Sequence, residues 1–477
     1  MKLHSLVLSL AVAFAPIVGG AFAAETGPLQ AGAATANITP NLGGEIIGGF
    51  KPFPSTYIHD ELHARCLVLD NGKTRVAIVI CDLLGIHRSV SDEARRLIQE
   101  EAGIPLENVL ISGTHTHSAV SALGERFQER QELNDYQKFV ARRIADGVRC
   151  AAAVLRPAEI AFGTAEAPEH VNNRRWFMRP GTIPPNPFGG VDLVRMNPPA
   201  GSENLTEPAG PTDPVVSFLS VREPGGKPIA VYAAYSLHYV GGVGNGHVSA
   251  DYYGMFCEEL ARLQNAVAND PPFVAMLANG TSGDVNNIDF VKPRGRKEPY
   301  EQMRYVAHDV AGKVNAALAN LAYKKEIVLG AKYRELDVAT RRPSEELLIW
   351  AEKTLASAPE DRNTWELPHF YAERTKNILN YPETLAIPLQ VLRVDNVSIG
   401  TMPTETFCEI GMEYRDRSPL KPAFMVSLAH GYYGYLPTPR HHDLGGYETW
   451  LGTNRLEREA SVKMLDALIE MTQQLAE

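Results

Sequence analysis

Residues 63–70 (HARCLVLD) and 74–82 (TRVAIVICD) are apolar, strand-like runs joined by Asn71-Gly72. An Asn-Gly pair between two such runs favours a tight hairpin turn, because both residues tolerate positive φ. A chain built on this hairpin does not make a purely parallel sheet. Further strand-like runs lie at 108–114, 158–164, 215–222, 228–238, 273–279, 327–337, 384–394 and 397–402. Helical stretches lie at about 90–102, 135–155, 252–265, 300–320, 344–355, 405–415 and 455–473. The alternation predicts a mixed α/β fold. Ser91 and Asp251 read as helix N-caps, since their side-chain oxygens can accept from free first-turn amides. Residues 179–214, rich in proline and glycine, interrupt the pattern. Strands of the same style resume on both sides, so a loop covering a site is expected rather than a linker.

The first residues read as an export signal: Lys2, an apolar run from Leu6 to Val18, and the A-x-A site Ala21-Phe22-Ala23. The apolar run is shorter than the ~20 residues a spanning helix needs, and no later run approaches that length. The expectation is a signal peptide over 1–23, a mature chain from Ala24, a secreted or periplasmic location and no integral membrane segment. Five cysteines (Cys66, Cys81, Cys150, Cys257, Cys408) permit a disulfide, but buried thiols are the simpler reading. The 46 Lys+Arg against 56 Asp+Glu give a net charge of −10. With no basic block, this excludes a nucleic-acid partner and disfavours attraction to anionic lipid.

Five segments carry chemistry-bearing residues. In Ser112-Gly113-Thr114-His115-Thr116-His117-Ser118, two histidines at i and i+2 beyond an apolar strand project together if the strand continues. Such a pair suits a metal, or one ligand and one acid/base group, or a hydrogen-bonded loop. His238 ends the strand 228–238 ahead of a glycine-rich turn; alone it reads as a strand-end histidine. Asn279-Gly280-Thr281-Ser282-Gly283-Asp284-Val285-Asn286 follows the strand 273–278. Strand ends followed by glycine turns position catalytic groups, or are simply tight polar turns. Ser282 is not in a G-x-S-x-G elbow, which weakens a serine-hydrolase reading. Glu405, in Pro403-Thr404-Glu405, sits where a strand gives way to a helix, and suits either a helix N-terminus or a metal. Tyr432, Tyr433, Tyr435 and Tyr447 form an aromatic cluster, core or ligand surface.

Taken in order, these blocks resemble the neutral/alkaline non-lysosomal ceramidase family. The matching pieces are Asn37-Ile38-Thr39-Pro40, His59-Asp60, T-H-T-H-S at 114–118, His238, the G-D-V turn at 283–285, P-T-E at 403–405, and Y-x-x-Y followed by Y-E at 432–448. The match spans roughly 32–450. The resemblance implies β-sheets packed between helices and a Zn2+ ion at the active site. By position it implies His115, His238, Glu405 and Tyr435 as zinc ligands. It also implies His117, Arg174 and Tyr447 as residues that bind or polarise a small-molecule or lipid amide substrate. Two imidazoles and a carboxylate are a common hydrolytic zinc set, with an open position for a water whose pKa falls to ~7. Ligands spread from 115 to 435 imply that 24–477 is a single catalytic domain.

Two departures accompany the match. Family members with ceramide activity carry a serine where this chain has Asn286. This favours metal-activated water over a serine nucleophile and opens the substrate to a related amide. Many members also continue into an immunoglobulin-like domain; here the chain ends with the helix at 455–473, so that domain is expected to be missing. The leading expectation is an exported zinc amidohydrolase cleaving an N-acyl amide. The alternatives are a zinc hydrolase of another amide, ester or lactone, and a non-catalytic binding relative.

Overall fold

A computed structural model describes residues 25–49, 51–124, 130–295 and 297–477. The expected signal at 1–23 lies outside the described residues.

The hairpin forms as the sequence predicts. His63–Asp70 and Arg75–Cys81 pair antiparallel, and Gly72 takes φ +77° in the turn. Both faces of these strands are buried. Along them, Cys66, Val68, Ala77 and Val79 pack on one side, while Leu67, Leu69, Ile78 and Ile80 pack on the other. This period of two sorts the same strands into two different cores.

Three sheets share the inner core. The first runs Val109–Gly113, Arg75–Cys81, His63–Asp70, Gln30–Asn37, Arg156–Pro157. The second runs Glu159–Glu166, Val215–Arg222, Pro228–Tyr235, Val274–Asn279. The third runs Thr26–Pro28, Glu326–Ala339, Thr384–Val394, Val397–Thr401, Ala423–Val426. Leu67, Ile80, Leu219, Met276, Leu392 and Ile399 are members of the core between them. Helices cover the outer faces. Asp135–Ala153 seats Val140, Ile144 and Val148 on the first sheet, and Asp251–Leu263 and Glu301–Leu318 seat Phe256, Leu260 and Val310 on the second. Ala460–Ala476 seats Met464, Leu468 and Met471 on the third. Each such side chain contributes about 1.5–3 kcal/mol by leaving water. The fold is therefore the mixed α/β arrangement expected, with sheets packed between helices.

Each sheet is antiparallel except for one parallel pair: Arg75–Cys81 with Val109–Gly113, Pro228–Tyr235 with Val274–Asn279, and Val397–Thr401 with Ala423–Val426. The carboxyl ends of parallel strands are where α/β sheets gather ligand-binding groups. The segments leaving these ends carry His115, His238, Glu405 and Tyr435.

Several local expectations are corrected. Helix Arg88–Ala102 begins earlier than predicted and is capped by His87, which accepts from the Ser89 amide; Ser91 is buried inside the helix with its hydroxyl 3.4 Å from His430 Nδ1. Asp251 lies one residue inside the cap position, which Ala250 holds, although its Oδ1 does accept from the first-turn amide of Tyr252 at 2.7 Å. It is the first helical residue, at φ +57°, and its carboxylate accepts from the amides of Val240 and Gly241 at 2.9 Å, pinning the turn after His238. Glu405 lies in the two-residue strand Glu405–Thr406, ahead of the helix Cys408–Arg417, whose Cys408 amide is taken by Asp284 at 2.9 Å. The helix Leu367–Asn377 was not anticipated; a proline in its first turn is compatible with a helix start. Cys66, Cys81, Cys150, Cys257 and Cys408 are all free, and only Cys150 is exposed. Among the described residues, no helix is long and apolar enough to cross a membrane.

Candidate metal centre and active site

The strand ending at Gly113 stops before the histidines, so strand alternation does not set their direction. His115 turns into the left-handed region at φ +75°, and its amide donates to Leu83 O at 2.9 Å. Thr116 Oγ1 fixes the segment by donating to Ser249 O at 2.7 Å. The two rings nevertheless meet: His115 Nε2 lies 3.2 Å from His117 Nε2, with the rings nearly perpendicular.

Each imidazole is oriented from behind. His115 Nδ1 faces Leu84 O at 2.7 Å, His117 Nδ1 faces Gly48 O at 2.8 Å, and His238 Nδ1 faces Ser282 O at 3.0 Å. A carbonyl accepts only from N–H, so these contacts put the proton on Nδ1 and leave every Nε2 lone pair facing inward. Gly48 must lack a side chain, because a Cβ there would come within 2.8 Å of the His117 backbone oxygen. Ser282, only 3% exposed, has its hydroxyl 3.2 Å from His238 Nδ1 and donates it to Asn279 Oδ1. It helps orient the His238 ring, and its hydroxyl is committed to Asn279.

Glu405 completes the cluster. Its Oε2 lies 3.2 Å from His115 Nε2 and 3.6 Å from His238 Nε2. Its Oε1 accepts from Tyr432 Oη at 2.6 Å. Burial would raise the Glu405 carboxyl, and the Tyr432 hydroxyl donating to Oε1 opposes this by favouring the charged form. Burial, reinforced by His115, lowers both His117 and His238, so both rings are neutral at pH 7. Tyr435 pairs with Glu405 across two short parallel strands, which puts both on one face. Burial pushes its phenol well above the ordinary value, with Arg174 opposing.

This donor set fits a divalent ion. His238 Nε2 and Glu405 Oε2 are buried without a hydrogen-bond partner among the described residues, although they face each other. Leaving such atoms unsatisfied costs about 1–3 kcal/mol each, and more for a charged one. A cation between them satisfies both. Neutral imidazole nitrogens beside a carboxylate are the ligands Zn2+ takes. His115, His117 and His238 have their ligand nitrogens mutually within 4.8 Å. A second grouping, Glu169, His170 and Asp309, is already neutralised by Lys313 at 2.6 Å and 2.8 Å from the two carboxylates.

The cluster opens into a cavity of about 390 Å³ whose walls include His117, His238, Arg174, Tyr435 and Tyr447. All the sequence-predicted site residues therefore gather at one place. Much of one wall, from Ile183 to Asn197, comes from the proline-rich segment, as expected of a loop over a site. That segment is not wholly irregular: Val194–Met196 and Leu205–Pro208 flank Arg175–Met178 in a small sheet. Tyr239, stacked on His117 at 3.7 Å, and Trp450 also line the cavity, and sequence reasoning missed both.

Glu448 was missed as well. It is fully buried and accepts from Arg174 Nε at 2.9 Å and from an Arg175 terminal nitrogen at 2.6 Å. Arg174 also donates to Gly283 O at 2.8 Å. Gly283 lies so close to Glu405 that a Cβ would sit 2.4 Å from its carbonyl oxygen, which explains the glycine of the G-D-V turn. Asn286 does not line the cavity; its amide donates to Asn197 Oδ1 at 2.8 Å.

The Tyr432 hydroxyl is a removable support for the Glu405 carboxylate. Tyr432→Phe is expected to weaken Zn2+ affinity about 10–100-fold, the usual cost of a lost partner behind a ligand. Competition titration against a chelating dye measures this. An unchanged affinity would mean that the hydrogen bond does not position Glu405.

Residues 30–291 match the family model for neutral/alkaline non-lysosomal ceramidase, N-terminal. Neutral ceramidase A of Dictyostelium discoideum is 24% identical over 269 residues, 55% of this chain. The matched part spans about a third of that relative's length, 34%. Two solved structures share the fold. One is a ceramidase complexed with C2 (TM-score 0.69, 18% identity, 94% of this chain and 75% of that one). The other is a neutral ceramidase from Pseudomonas aeruginosa (TM-score 0.66, 18% identity, 93% and 74%). With the family model covering more than half of its length, the chain belongs to the neutral/alkaline non-lysosomal ceramidase family.

Proposed function

We propose that the protein is an exported, zinc-dependent hydrolase that cleaves an N-acyl amide, a ceramide-like lipid or a related compound, with 24–477 acting as one catalytic unit behind a signal over 1–23. The observation that carries this reading is the convergence of the buried, unpartnered His238 Nε2 and Glu405 Oε2 with His115 Nε2 beside the cavity that His117 and His238 line. His115, His238, Glu405 and Tyr435 would hold the ion. A Zn2+ held there supplies a Lewis acid and lowers the pKa of a ligated water to about 7.

The chain's own groups do the rest. His117 is neutral at pH 7, and its Nδ1 is engaged by Gly48 O. Its Nε2 is then free to take a proton and to return it to the departing amine. Arg174, fixed by Glu448 and Gly283 O, and the Tyr447 hydroxyl stabilise negative charge developing on the carbonyl oxygen. Ile183, Pro184, Pro185, Leu367 and Trp450 offer an apolar wall for an acyl chain.

Asn286 favours one alternative, another amide, an ester or a lactone on the same scaffold. Its amide is committed to Asn197 rather than presented to a substrate. The test is zinc content followed by a panel of N-acyl amides, N-acylsphingosine included, against matched esters. About one zinc per chain and turnover of amides are expected. Turnover of esters alone would select the alternative; a protein with no zinc affinity would sink both readings.

A further inference from the structure

Among the described residues that line the cavity, one cation has no counter-charge. Arg174 is paired with Glu448. Asp192, the acidic side chain in the wall, has both oxygens engaged: Oδ1 accepts from Asn186 Nδ2 at 3.0 Å and Oδ2 from Trp450 Nε1 at 2.8 Å. Arg195, half-buried in the same wall, makes no ion pair or side-chain hydrogen bond among the described residues. The chain has more carboxylates than basic groups, 56 against 46, so the missing partner does not reflect a shortage of acids.

Nor is Arg195 on a loose tether. Its strand, Val194–Met196, pairs with Arg175–Met178, with Arg195 opposite Trp176. The segment is tied down on either side, by Leu193 N to Leu444 O at 2.9 Å and by Asn197 N to Arg174 O at 2.8 Å. The backbone that carries the guanidinium is thus pre-organised, which reduces the ordering cost when a ligand binds.

Resting on the amide-hydrolase reading above, we propose that Arg195 selects substrates bearing a carboxylate, N-acyl amino acids rather than neutral N-acyl amides. A guanidinium matches a carboxylate through two parallel N–H···O bonds. The apolar residues accept the acyl chain, the scissile amide lies at the metal cluster, and the carboxylate reaches Arg195.

The experiment compares zinc-loaded wild type and Arg195→Gln on N-dodecanoylglycine and N-dodecanoylglycinamide, which carry a carboxylate and a neutral carboxamide of similar size at the same end. Wild type is expected to prefer the acid by at least about tenfold in kcat/KM, carried by KM, as a charge-assisted hydrogen bond allows. In Arg195→Gln the ratio of the two kcat/KM values should fall to about one, through a rise in KM for the acid. Equal rates on both compounds in wild type, or a preference that survives in the variant, would overturn the proposal while leaving the hydrolase reading intact. If neither compound is cleaved, that counts against the hydrolase reading, and calorimetry still decides on Arg195. Tighter binding of the acid that is lost in the variant supports the role; equal binding of acid and amide ends it.

Discussion

Glu405→Gln should leave the protein folded and unable to retain zinc. The substitution keeps the volume of the side chain and an oxygen for the Tyr432 hydroxyl, but removes the charge that His115 and His238 converge on. Metal content should fall from about one zinc per chain to background. Activity should fall by more than about 10³-fold, because without the ion the attacking water returns toward its bulk pKa. A thermal comparison separates lost metal from lost fold. A ligand that binds only the native state stabilises it by about 4 kcal/mol at a thousand times its Kd. Wild type should therefore melt higher with zinc than after chelation, and Glu405→Gln should melt at the chelated value under both conditions. A variant that keeps zinc but loses activity would move Glu405 from ligand to acid/base group.

Which residues belong to this centre was legible through the family resemblance carried by short, ordered blocks; each block alone left a plainer reading open. His115, His117, His238 and Glu405 each follow an apolar run, and such runs are readable from period alone. The reason the two histidines meet was not legible. Alternation along a strand predicted it, yet the strand ends at Gly113, and a positive φ at His115 brings the rings together. Asp251 was legible only in part, through its hydrogen bond from the first-turn amide of Tyr252. Its residue type suits a cap, but only the tertiary fold shows that it holds the amides of Val240 and Gly241. The wall from Ile183 to Asn197 was foreseen as a covering loop, while the pairing of Val194–Met196 with Arg175–Met178 depends on contacts that proline-rich sequence does not encode locally. Glu448 illustrates the hardest case. Two adjacent arginines heading indoors need a carboxylate, but nothing local says which of 56 acidic residues will supply it.

Glu448 accordingly carries the largest expected effect on stability. It is fully buried between Arg174 and Arg175, and Arg175 is buried as completely. Burial would raise its carboxyl, but Arg175 and then Arg174 hold it below the ordinary value. Glu448→Ala leaves two guanidiniums in the interior without their shared counter-charge. Breaking a buried pair from one side costs about 3–5 kcal/mol, because the remaining charge stays desolvated. Urea unfolding of the zinc-free protein should show a loss of that size. The sign of the pH dependence follows from the lowered carboxyl. The native state binds fewer protons there than the unfolded state, so the contribution is complete above an unfolded pKa of about 4.3 and fades as pH falls through the lower folded value. Wild type should lose stability more steeply than Glu448→Ala in that acid window. Arg175 alone cannot account for the arrangement, since Arg174 also reaches Gly283 O beside Glu405. A double variant, Glu448→Leu with Arg175→Met, tests this. It removes one buried charge with the carboxylate and should recover part of the stability. It should not recover activity, because Arg174 loses the partner that aims it at the cavity, a fault worth about 10²–10³ in kcat for an oxyanion donor. Recovery of both would make Glu448 a packing element; recovery of stability alone makes it the residue that sets the position of Arg174.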